Sequence, residues 1–454
     1  MKSLIGDKKF YRMVLIVCIP IVIQNGFTNL ASLLDNIMIG QLGTLSMSGV
    51  SISNQLFQVF NVSVFGAMSG AGIFLAQFYG RGNRDGVHNC FRIKMLLGLL
   101  ISILAICIFK ILGPSLISLY LNDDPTASLT TLNFGKQYMD VMLIGLIPFA
   151  ITQVFSSSLR ETGNTVLPMK ASVIAVIVNF CINYILIFGH FGFPKLGVIG
   201  AAIGTVVSRI VEMGINIAAG LNNNYLRDAM RLDKISGDIF KNVVKRGMPL
   251  LCNEILWSIS IALISQCYST RGLLAVAAIN VTTTVTNFFM IICYAMGNSI
   301  SIIVGQRLGA GEITYAKDYD LKMVFMNFMM CLCIGVALFG CSSFIPQIYN
   351  TSIEVKSLAT SLLRVSACML PIISLYYSSY FTMRAGGKTL LTFFFDSGYT
   401  FMFTFMVALC LTRFTNLPIF NVYLLVQCVD IPKAVLGITL VKKGIWVHNI
   451  VNEL

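Results

Sequence analysis

The chain contains few charged residues and no cysteine pattern that would hold a metal or a disulfide framework. Only 11% of its 454 residues are charged, whereas 56% are hydrophobic and the mean hydropathy is +0.80. Soluble globular domains have a very different composition, so we expect a polytopic membrane protein embedded in the lipid bilayer. The 13 cysteines include no paired CxxC motif, which argues against both disulfides and metal clusters.

Signals for catalysis and for nucleic-acid binding are also missing. The three histidines, His88, His190 and His448, fall in predicted loops or near the terminus, and no HExxH or GxSxG motif is present. We therefore predict that the protein is not an enzyme. The net charge of +13 comes from basic residues in particular loops instead of one basic face, so we expect no nucleic-acid partner. Nothing resembles the selectivity filter of an ion channel.

Long apolar runs predict twelve membrane spans. Near the amino terminus, the run from Met13 to Leu34 carries no charge and is long enough to cross a hydrocarbon core, and we expect it to be retained. With both termini in the cytoplasm, inner segments hold 23 Lys and Arg and outer loops hold 5, which predicts a multi-pass protein of the cell inner membrane with this orientation. The spans are predicted to start near residues 13, 49, 95, 137, 171, 197, 248, 275, 323, 358, 389 and 418.

An internal repeat divides the spans into two sets of six. Four residue pairs are each 229 positions apart, and a later group is 224 apart, so the chain is a duplicated six-span unit. Because six is even, both copies enter the membrane in the same sense, and we expect a cavity between the halves. We predict an N-lobe at 1–225, a cytoplasmic amphipathic connector at 226–247 and a C-lobe at 248–454. The pairs at 229 are Pro20 and Pro249, Gln77 and Gln306, Gly80 and Gly309, and Gly82 and Gly311.

The first span carries a polar stripe that ends in a carboxylate. Gln24, Thr28 and Asp35 are 4 and 7 residues apart, which places them on one narrow helical face. A carboxylate at membrane depth is costly unless it is solvated, paired or protonated, so such residues face a bundle interior or a water-filled cavity. We predict that Asp35 is functional.

The fifth span has a matching stripe. Asn179 and Asn183 are one helical turn apart and share a face with Ser172. Two interpretations remain open for the asparagines: a binding site shared with the first span, or hydrogen bonds that only hold helices together.

The second half has a carboxylate of its own, Glu254, five residues after Pro249 and on the same helical face as Ser258. A role in coupling, recognition of a substrate's charge or a structural hydrogen bond would each explain it. We predict that Gln24, Thr28, Ser172, Ser258 and Tyr376 line a substrate cavity, with packing as the competing interpretation for the tyrosine.

Other intramembrane charges have structural interpretations. Asp430 and Lys433 are three apart on one helix and can neutralise each other, as can Arg209 and Glu212. Asp396 has no partner that the sequence identifies.

Several motifs together resemble the multidrug and toxic compound extrusion (MATE) family over nearly the whole chain. The resemblance implies an all-α polytopic membrane protein with twelve transmembrane helices in two six-helix pseudo-symmetric lobes that form a V-shaped central cavity. It also implies export of amphipathic, often cationic compounds in exchange for Na⁺ or H⁺. The motifs are LLDNIMIGQLG in the first span, the glycine-flanked glutamines after the second and eighth spans, LRETGNT, NFCINYILIFG followed by GVIGAAIGT, and the terminal KKGIWVHNIV.

The resemblance also implies site residues. In this family an Asp in the first helix, with an Asn and an Asp four apart in the fifth, forms a cation or proton site. Asp35 and Asn179 match, whereas Asn183 stands where the second carboxylate is often found, and Thr205 matches a nearby hydroxyl ligand. A proton would need only Asp35, while Na⁺ would be bound by Asp35, Asn179, Asn183 and Thr205.

The sequence thus predicts a secondary active antiporter, monomeric, that exports amphipathic, cationic drugs or metabolites and contributes to drug resistance. It needs no cofactor besides the coupling ion, H⁺ or Na⁺. The alternative, within the superfamily to which the MATE family belongs, is a flippase or exporter of lipid-linked or other specialised metabolites. We would expect such a protein to have more basic residues in its cavity.

Overall fold

The computed structural model describes residues 4–121, 125–231, 234–349 and 351–453. Within these ranges the chain is helical, with no strand, and twelve helices are long and apolar enough to span a membrane. The prediction of an all-α protein with twelve spans is confirmed. We number the helices α1 (Lys8–Gly40), α2 (Thr44–Arg81), α3 (Arg84–Ser118), α4 (Thr126–Glu161), α5 (Val166–Phe188), α6 (Val198–Leu221), α7 (Gly237–Ser269), α8 (Leu273–Gly309), α9 (Ile313–Cys341), α10 (Ile353–Ala385), α11 (Thr389–Phe414) and α12 (Ile419–Lys443).

Three of the twelve helices are irregular. Helix α4 contains a 3₁₀ turn at Leu143–Gly145, and α12 is interrupted by one residue between Cys428 and Asp430. Helix α11 is π-helical at Phe394–Gly398 and again at Thr400–Phe405. A π-helical turn holds an extra residue, which changes the direction in which nearby side chains point and is frequent at functional sites.

Repeat-related glycines end corresponding helices in the same way. Gly82 and Gly311, after α2 and α8, have φ values of 75° and 77°, a left-handed conformation that glycine adopts without steric cost. Gly163 and Gly387, after α4 and α10, have φ values of 85° and 71°. The repeated glycine motifs thus form tight turns at the ends of corresponding helices.

Contacts divide the chain into two compact units. The amino-terminal unit contains Ile23–Leu75 and Arg84–Val244. The carboxy-terminal unit contains the described residues up to Val22, Ala76–Asn83 and the residues from Lys245 onward. The first turns of α1 and the last turns of α2 thus belong by contact to the carboxy-terminal unit. The boundaries predicted for the lobes at 225 and 248 stay a prediction.

The region predicted as the connector includes the first turns of α7. Residues 226–247 contain a short 3₁₀ turn, Asp228–Met230, and α7 then begins at Gly237 without a further break. The apolar residues Ile239 and Val243 therefore lie in the first turns of α7, where Val243 is buried. Because α7 begins at Gly237, its backbone amides and carbonyls remain hydrogen-bonded up to the membrane span. A break before the span would leave some of these groups without helical partners.

Within the carboxy-terminal unit, the repeated glutamine and glycine motifs meet each other. A Cβ added to Gly80 would lie 1.9 Å from the carbonyl oxygen of Gln306, and one added to Gly309 would lie 1.9 Å from the carbonyl oxygen of Gln77. The contact is reciprocal, as expected where two equivalent surfaces meet at a pseudo-twofold axis. The glycines are therefore required for the close approach of the two backbones.

Candidate functional site

The predicted polar stripes of α1 and α5 meet in the amino-terminal unit. The side-chain amide of Asn183 donates a hydrogen bond of 2.7 Å to Oδ1 of Asp35, although 148 residues separate the two in sequence. Asn179 and Ser172 are buried on the same face of α5, with 6% and 5% of their surface exposed. The structure thus brings Asp35 together with the asparagine that the sequence placed in its site.

A short chain of hydrogen bonds leads from this contact to α6. Nδ2 of Asn183 also donates to Oδ1 of Asn179 at 3.3 Å, and Nδ2 of Asn179 donates to the Thr205 hydroxyl at 3.4 Å. Thr205 in turn donates to the carbonyl of Ala201 at 3.0 Å. The four residues predicted as ion ligands, Asp35, Asn179, Asn183 and Thr205, therefore form one connected group across α1, α5 and α6.

The Asn183 amide is held in a tight space against α6. Its Oδ1 is buried and is among the described side-chain atoms that have no hydrogen-bond partner. A Cβ added to Gly204 would lie 2.0 Å from this oxygen. Because Gly204 has no side chain, Oδ1 of Asn183 fits beside α6, and in this orientation the amide nitrogen points at Asp35.

Asp35 and Thr205 face a cavity of about 410 Å³ within the amino-terminal unit. Its wall is mostly polar, with amide, hydroxyl and guanidinium groups beside the carboxylate. At its edge Tyr138 donates to Oδ1 of Asn54 at 3.2 Å, and the Arg209 guanidinium lies 4.9 Å from the Phe149 ring centroid. The lining residues are Ser32, Asp35, Asn36, Ser51, Asn54, Gln55, Phe57, Gln58, Asn61, Tyr138, Met142, Thr205 and Arg209.

Two of the residues predicted to line a substrate cavity, Gln24 and Ser172, lie in a second polar cluster nearby in the same unit. Gln24 donates to the Ser172 hydroxyl at 3.0 Å and accepts from Arg160 at 3.2 Å. Ser172 donates a short hydrogen bond to Glu212. None of these residues is among those that line the cavity at Asp35.

Thr28 is exposed, and its hydroxyl donates to the carbonyl of Gln24 at 2.9 Å, one turn earlier on α1. The spacing on α6 suggested only Arg209 as a partner for the Glu212 carboxylate. In the structure Glu212 also accepts a hydrogen bond from Ser172, and the polar stripe of α5 that contains Ser172 was the sequence feature that could have indicated this contact.

The chemistry open to the Asp35 group is that of one carboxylate with amide and hydroxyl neighbours. Among the described residues no group of three or more His, Cys, Asp or Glu is placed to hold a metal ion. Oxygen ligands for Na⁺ would have to come from amides and the Thr205 hydroxyl as well as Asp35. Because the Asn183 nitrogen points at Asp35, carbonyl coordination there would require its amide to rotate.

The carboxy-terminal unit contains the other predicted residues. Glu254 on α7 accepts a hydrogen bond of 3.1 Å from the Tyr380 hydroxyl on α10. Ser258, one turn later on α7, is half-buried. Tyr376 is half-buried on α10, where its ring centroid lies 4.5 Å from the Lys433 ammonium and 5.3 Å from that of Tyr377.

A buried ion pair that the sequence did not identify lies beside Glu254. Asp396 on α11 pairs with Lys433 on α12 at 2.9 Å, and Asn253 donates to the other carboxylate oxygen of Asp396 at 3.1 Å. The spacing of three residues had suggested Asp430 as the partner of Lys433. No sequence signal could have joined α11 to α12 here, because the pairing depends on how the two helices pack.

Comparisons with known proteins agree with this architecture. The profile of the MatE family matches residues 20–185 and 249–408. The "Probable multidrug resistance protein NorM" of Thermotoga maritima is 25% identical over 377 residues, which cover 82% of this chain and 79% of that protein. The "Probable multidrug resistance protein YoeA" of Bacillus subtilis is 23% identical over 388 residues, covering 84% of this chain and 82% of that protein.

Solved structures are similar over nearly the full length. A MATE protein in its straight conformation has a TM-score of 0.86 with 20% identity, covering 97% of both chains. A MATE transporter of Vibrio cholerae has a TM-score of 0.84 with 18% identity, covering 96% of this chain and 97% of that one. At these sequence identities the solved structures support the fold alone. The family profile covers well over half of the chain and therefore shows the family. This protein is therefore a multi-pass membrane protein that belongs to the MatE family of transporters.

Proposed function

We propose that this protein is a secondary active antiporter that exports amphipathic, cationic small molecules in exchange for protons. The observation that carries the proposal is Asp35, a carboxylate on a membrane-spanning helix that faces a polar cavity and accepts a hydrogen bond from Asn183. Membrane carboxylates of this kind act as proton relays or bind cations in transporters. The names of the relatives, multidrug resistance proteins, support the substrate class.

In this mechanism a proton and a cationic substrate compete for Asp35. The ionised carboxylate attracts a cation into the cavity, and protonation of the free oxygen, Oδ2, removes the charge that holds it. Each ligand favours the conformation in which it binds better, so the exchange proceeds by alternating access.

Protons are favoured over Na⁺ by the direction of the amides. Asn183 donates to Oδ1 of Asp35, which leaves Oδ2 for a proton without any rearrangement. Coordination of Na⁺ by Asn183 would require its amide to turn its oxygen toward the ion, at the cost of its hydrogen bonds to Asp35 and Asn179.

We further propose that the protein acts as a monomer in the cell inner membrane, with both termini in the cytoplasm. The asymmetry of basic residues between loops, 23 against 5, supports this orientation.

Efflux from proteoliposomes would test the proposal. A fluorescent organic cation such as ethidium is loaded, and a pH gradient or a Na⁺ gradient is imposed separately on wild type, Asp35→Asn and Asp140→Asn. Asp140 is a matched control, because its carboxylate is also on a spanning helix but is exposed and paired with Lys110.

We expect efflux driven by the pH gradient in wild type and in Asp140→Asn, and its loss in Asp35→Asn. Efflux driven by the Na⁺ gradient alone would show that the coupling ion at Asp35 is Na⁺ and not a proton. Coupled efflux that survives in Asp35→Asn would remove Asp35 from the mechanism. An absence of movement under either gradient, with folded protein, would shift support to lipid-linked or other specialised substrates.

A further inference from the structure

Lys433 places an ammonium group inside the carboxy-terminal unit. It lies on α12 with 3% of its side chain exposed, between α11 and α10. A buried ammonium needs several favourable contacts, because removal from water is costly for a full charge. The contacts that Lys433 makes show what kind of site it occupies.

Three oxygens of different kinds face the Lys433 ammonium. It donates to Oδ1 of Asp396 at 2.9 Å, to the main-chain carbonyl of Asp396 at 3.4 Å and to the Thr400 hydroxyl at 3.2 Å. The Tyr376 ring, with its centroid 4.5 Å away, adds the negative face of an aromatic system. Carboxylate, carbonyl and hydroxyl oxygens are also the ligands that bind hard cations in proteins.

The irregularity of α11 explains how one short segment supplies these oxygens. Asp396 lies in the first π-helical segment, and Thr400 begins the second. In a π-helical turn the hydrogen-bond pattern shifts by one residue, which re-aims carbonyls and side chains relative to a regular helix. The main-chain carbonyl of Asp396 also accepts from the Thr400 hydroxyl at 2.9 Å, so the ligands hold one another in place.

The remaining oxygen of Asp396 is also held. Oδ2 accepts from Nδ2 of Asn253 at 3.1 Å, and Oδ1 of Asn253 accepts from the Ser397 hydroxyl at 2.8 Å and its main-chain amide at 3.2 Å. The carboxylate is therefore fixed in position and has a partner on both oxygens. These hydrogen bonds of Asn253 do not involve the ammonium, so its removal does not take them away.

We propose that Lys433 is a tethered cation that fills a monovalent-cation site in the carboxy-terminal unit. Removal of its ammonium opens the pocket of Asp396, Thr400 and Tyr376 to a small free monovalent cation, such as NH₄⁺, K⁺ or Na⁺. A consequence, which rests on the proposed function, is that coupling by a free ion is left to the Asp35 site.

Thermal unfolding of the purified protein in detergent tests the site itself. Wild type, Lys433→Ala and Lys110→Ala are compared in NH₄Cl, KCl, NaCl or N-methyl-D-glucamine chloride at equal ionic strength. Lys110 is the control because its ion pair with Asp140 is exposed. We expect Lys433→Ala to lower the unfolding midpoint on the order of 5 °C in N-methyl-D-glucamine, and the small cations to restore it.

In wild type and Lys110→Ala the unfolding midpoint should not depend on the cation. Adding Asp396→Asn to Lys433→Ala should abolish the recovery. Equal unfolding midpoints of Lys433→Ala in all four salts would overturn the proposal. These measurements need no transport, so their outcome is independent of whether the antiport mechanism is correct.

A charge-neutral double variant, Asp396→Asn with Lys433→Gln, keeps the proposal testable if Lys433→Ala does not fold. Because it removes both charges of the ion pair together, neither Asp396 nor Lys433 is left as a buried ion without the other. We expect its efflux to show the same ion dependence as wild type. An altered or lost ion dependence, with the protein folded, would show that the pair takes part in coupling and would overturn the proposal.

Discussion

Asp35 and Asn183 are joined by a hydrogen bond of 2.7 Å in which the amide is the donor. In the family that this chain resembles, the position of Asn183 is often a second carboxylate. Here the neutral amide leaves Asp35 as the only acid of the hydrogen-bonded group, so one proton is enough to neutralise it. The two residues lie on α1 and α5, so their contact depends on how these two helices pack.

Gly204→Ala should disturb the site without touching Asp35. The new Cβ would lie 2.0 Å from Oδ1 of Asn183, so the amide must move and its bond to Asp35 lengthens or breaks. We expect a loss of stability of about 1 to 3 kcal/mol from overpacking and a clear fall in gradient-driven efflux. Thermal unfolding and proteoliposome efflux would measure the two effects.

The control is Gly214→Ala on the same helix, where a Cβ would have nothing within 4 Å. Alanine is the better helix former, so this variant should be as stable as wild type or slightly more so. Efflux in Gly204→Ala equal to that in Gly214→Ala would show that the position of the Asn183 amide does not matter for transport.

Asn183→Leu should impair transport more than Asn179→Leu. Asn183 donates directly to the carboxylate at 2.7 Å, whereas the hydrogen bonds of Asn179 are 3.3 and 3.4 Å long and involve neutral groups. A hydrogen bond to a charged group contributes about 1.5 to 3 kcal/mol, which corresponds to roughly a ten- to hundredfold effect on affinity or rate. Initial rates of efflux under a fixed pH gradient would compare the variants. An equal or larger loss in Asn179→Leu contradicts the assigned order.

Lys94→Met should destabilise the protein strongly. The Lys94 ammonium is fully buried and pairs with Glu161 at 2.5 Å, so its removal takes the nearest ion-pair partner from a carboxylate in a low-dielectric environment. The expected loss is about 3 to 5 kcal/mol, seen as a lower midpoint in thermal unfolding.

Lys110→Met is the matched comparison, because its pair with Asp140 has side chains 66% and 41% exposed. An exposed pair contributes only about 0 to 1 kcal/mol, so little change is expected. A combined Lys94→Met and Glu161→Gln variant should be more stable than Lys94→Met alone, since it also removes the carboxylate that had faced the lysine. Similar midpoints for the two lysine variants would refute this account.

Gly309→Ala should be poorly tolerated, and Gly80→Ala equally so. Each new Cβ would lie 1.9 Å from a main-chain carbonyl oxygen of the repeat-related glutamine, and a backbone atom cannot move aside as a side chain can. We expect a loss of at least about 2 kcal/mol for each, measured by thermal unfolding. Gly340→Ala, with nothing within 4 Å of the added Cβ, is the control. A marked difference between the two repeat-related variants would argue against the reciprocal contact.

Hydropathy, charge and repeat spacing were enough to predict the number of spans and the repeat whose glycines form the turns after α2, α4, α8 and α10. These features are local, because a membrane span requires an uninterrupted apolar helix and a left-handed turn favours glycine at one position. The polar stripes of α1 and α5 were also readable, since helical periodicity fixes which residues share a face. The sequence by itself therefore determined the spans, the repeat and the candidate residues Asp35, Asn179 and Asn183.

Only the tertiary structure decided which stripes meet and in what direction the amides point. Lys433 pairs with Asp396 on another helix instead of Asp430 on its own, and Ser172 and Glu212 bond across 40 residues. Such pairings depend on helix packing and on the π-helical turns of α11, which no local pattern predicts. The sequence supplied the charged and polar groups, and the packing of the helices chose their partners.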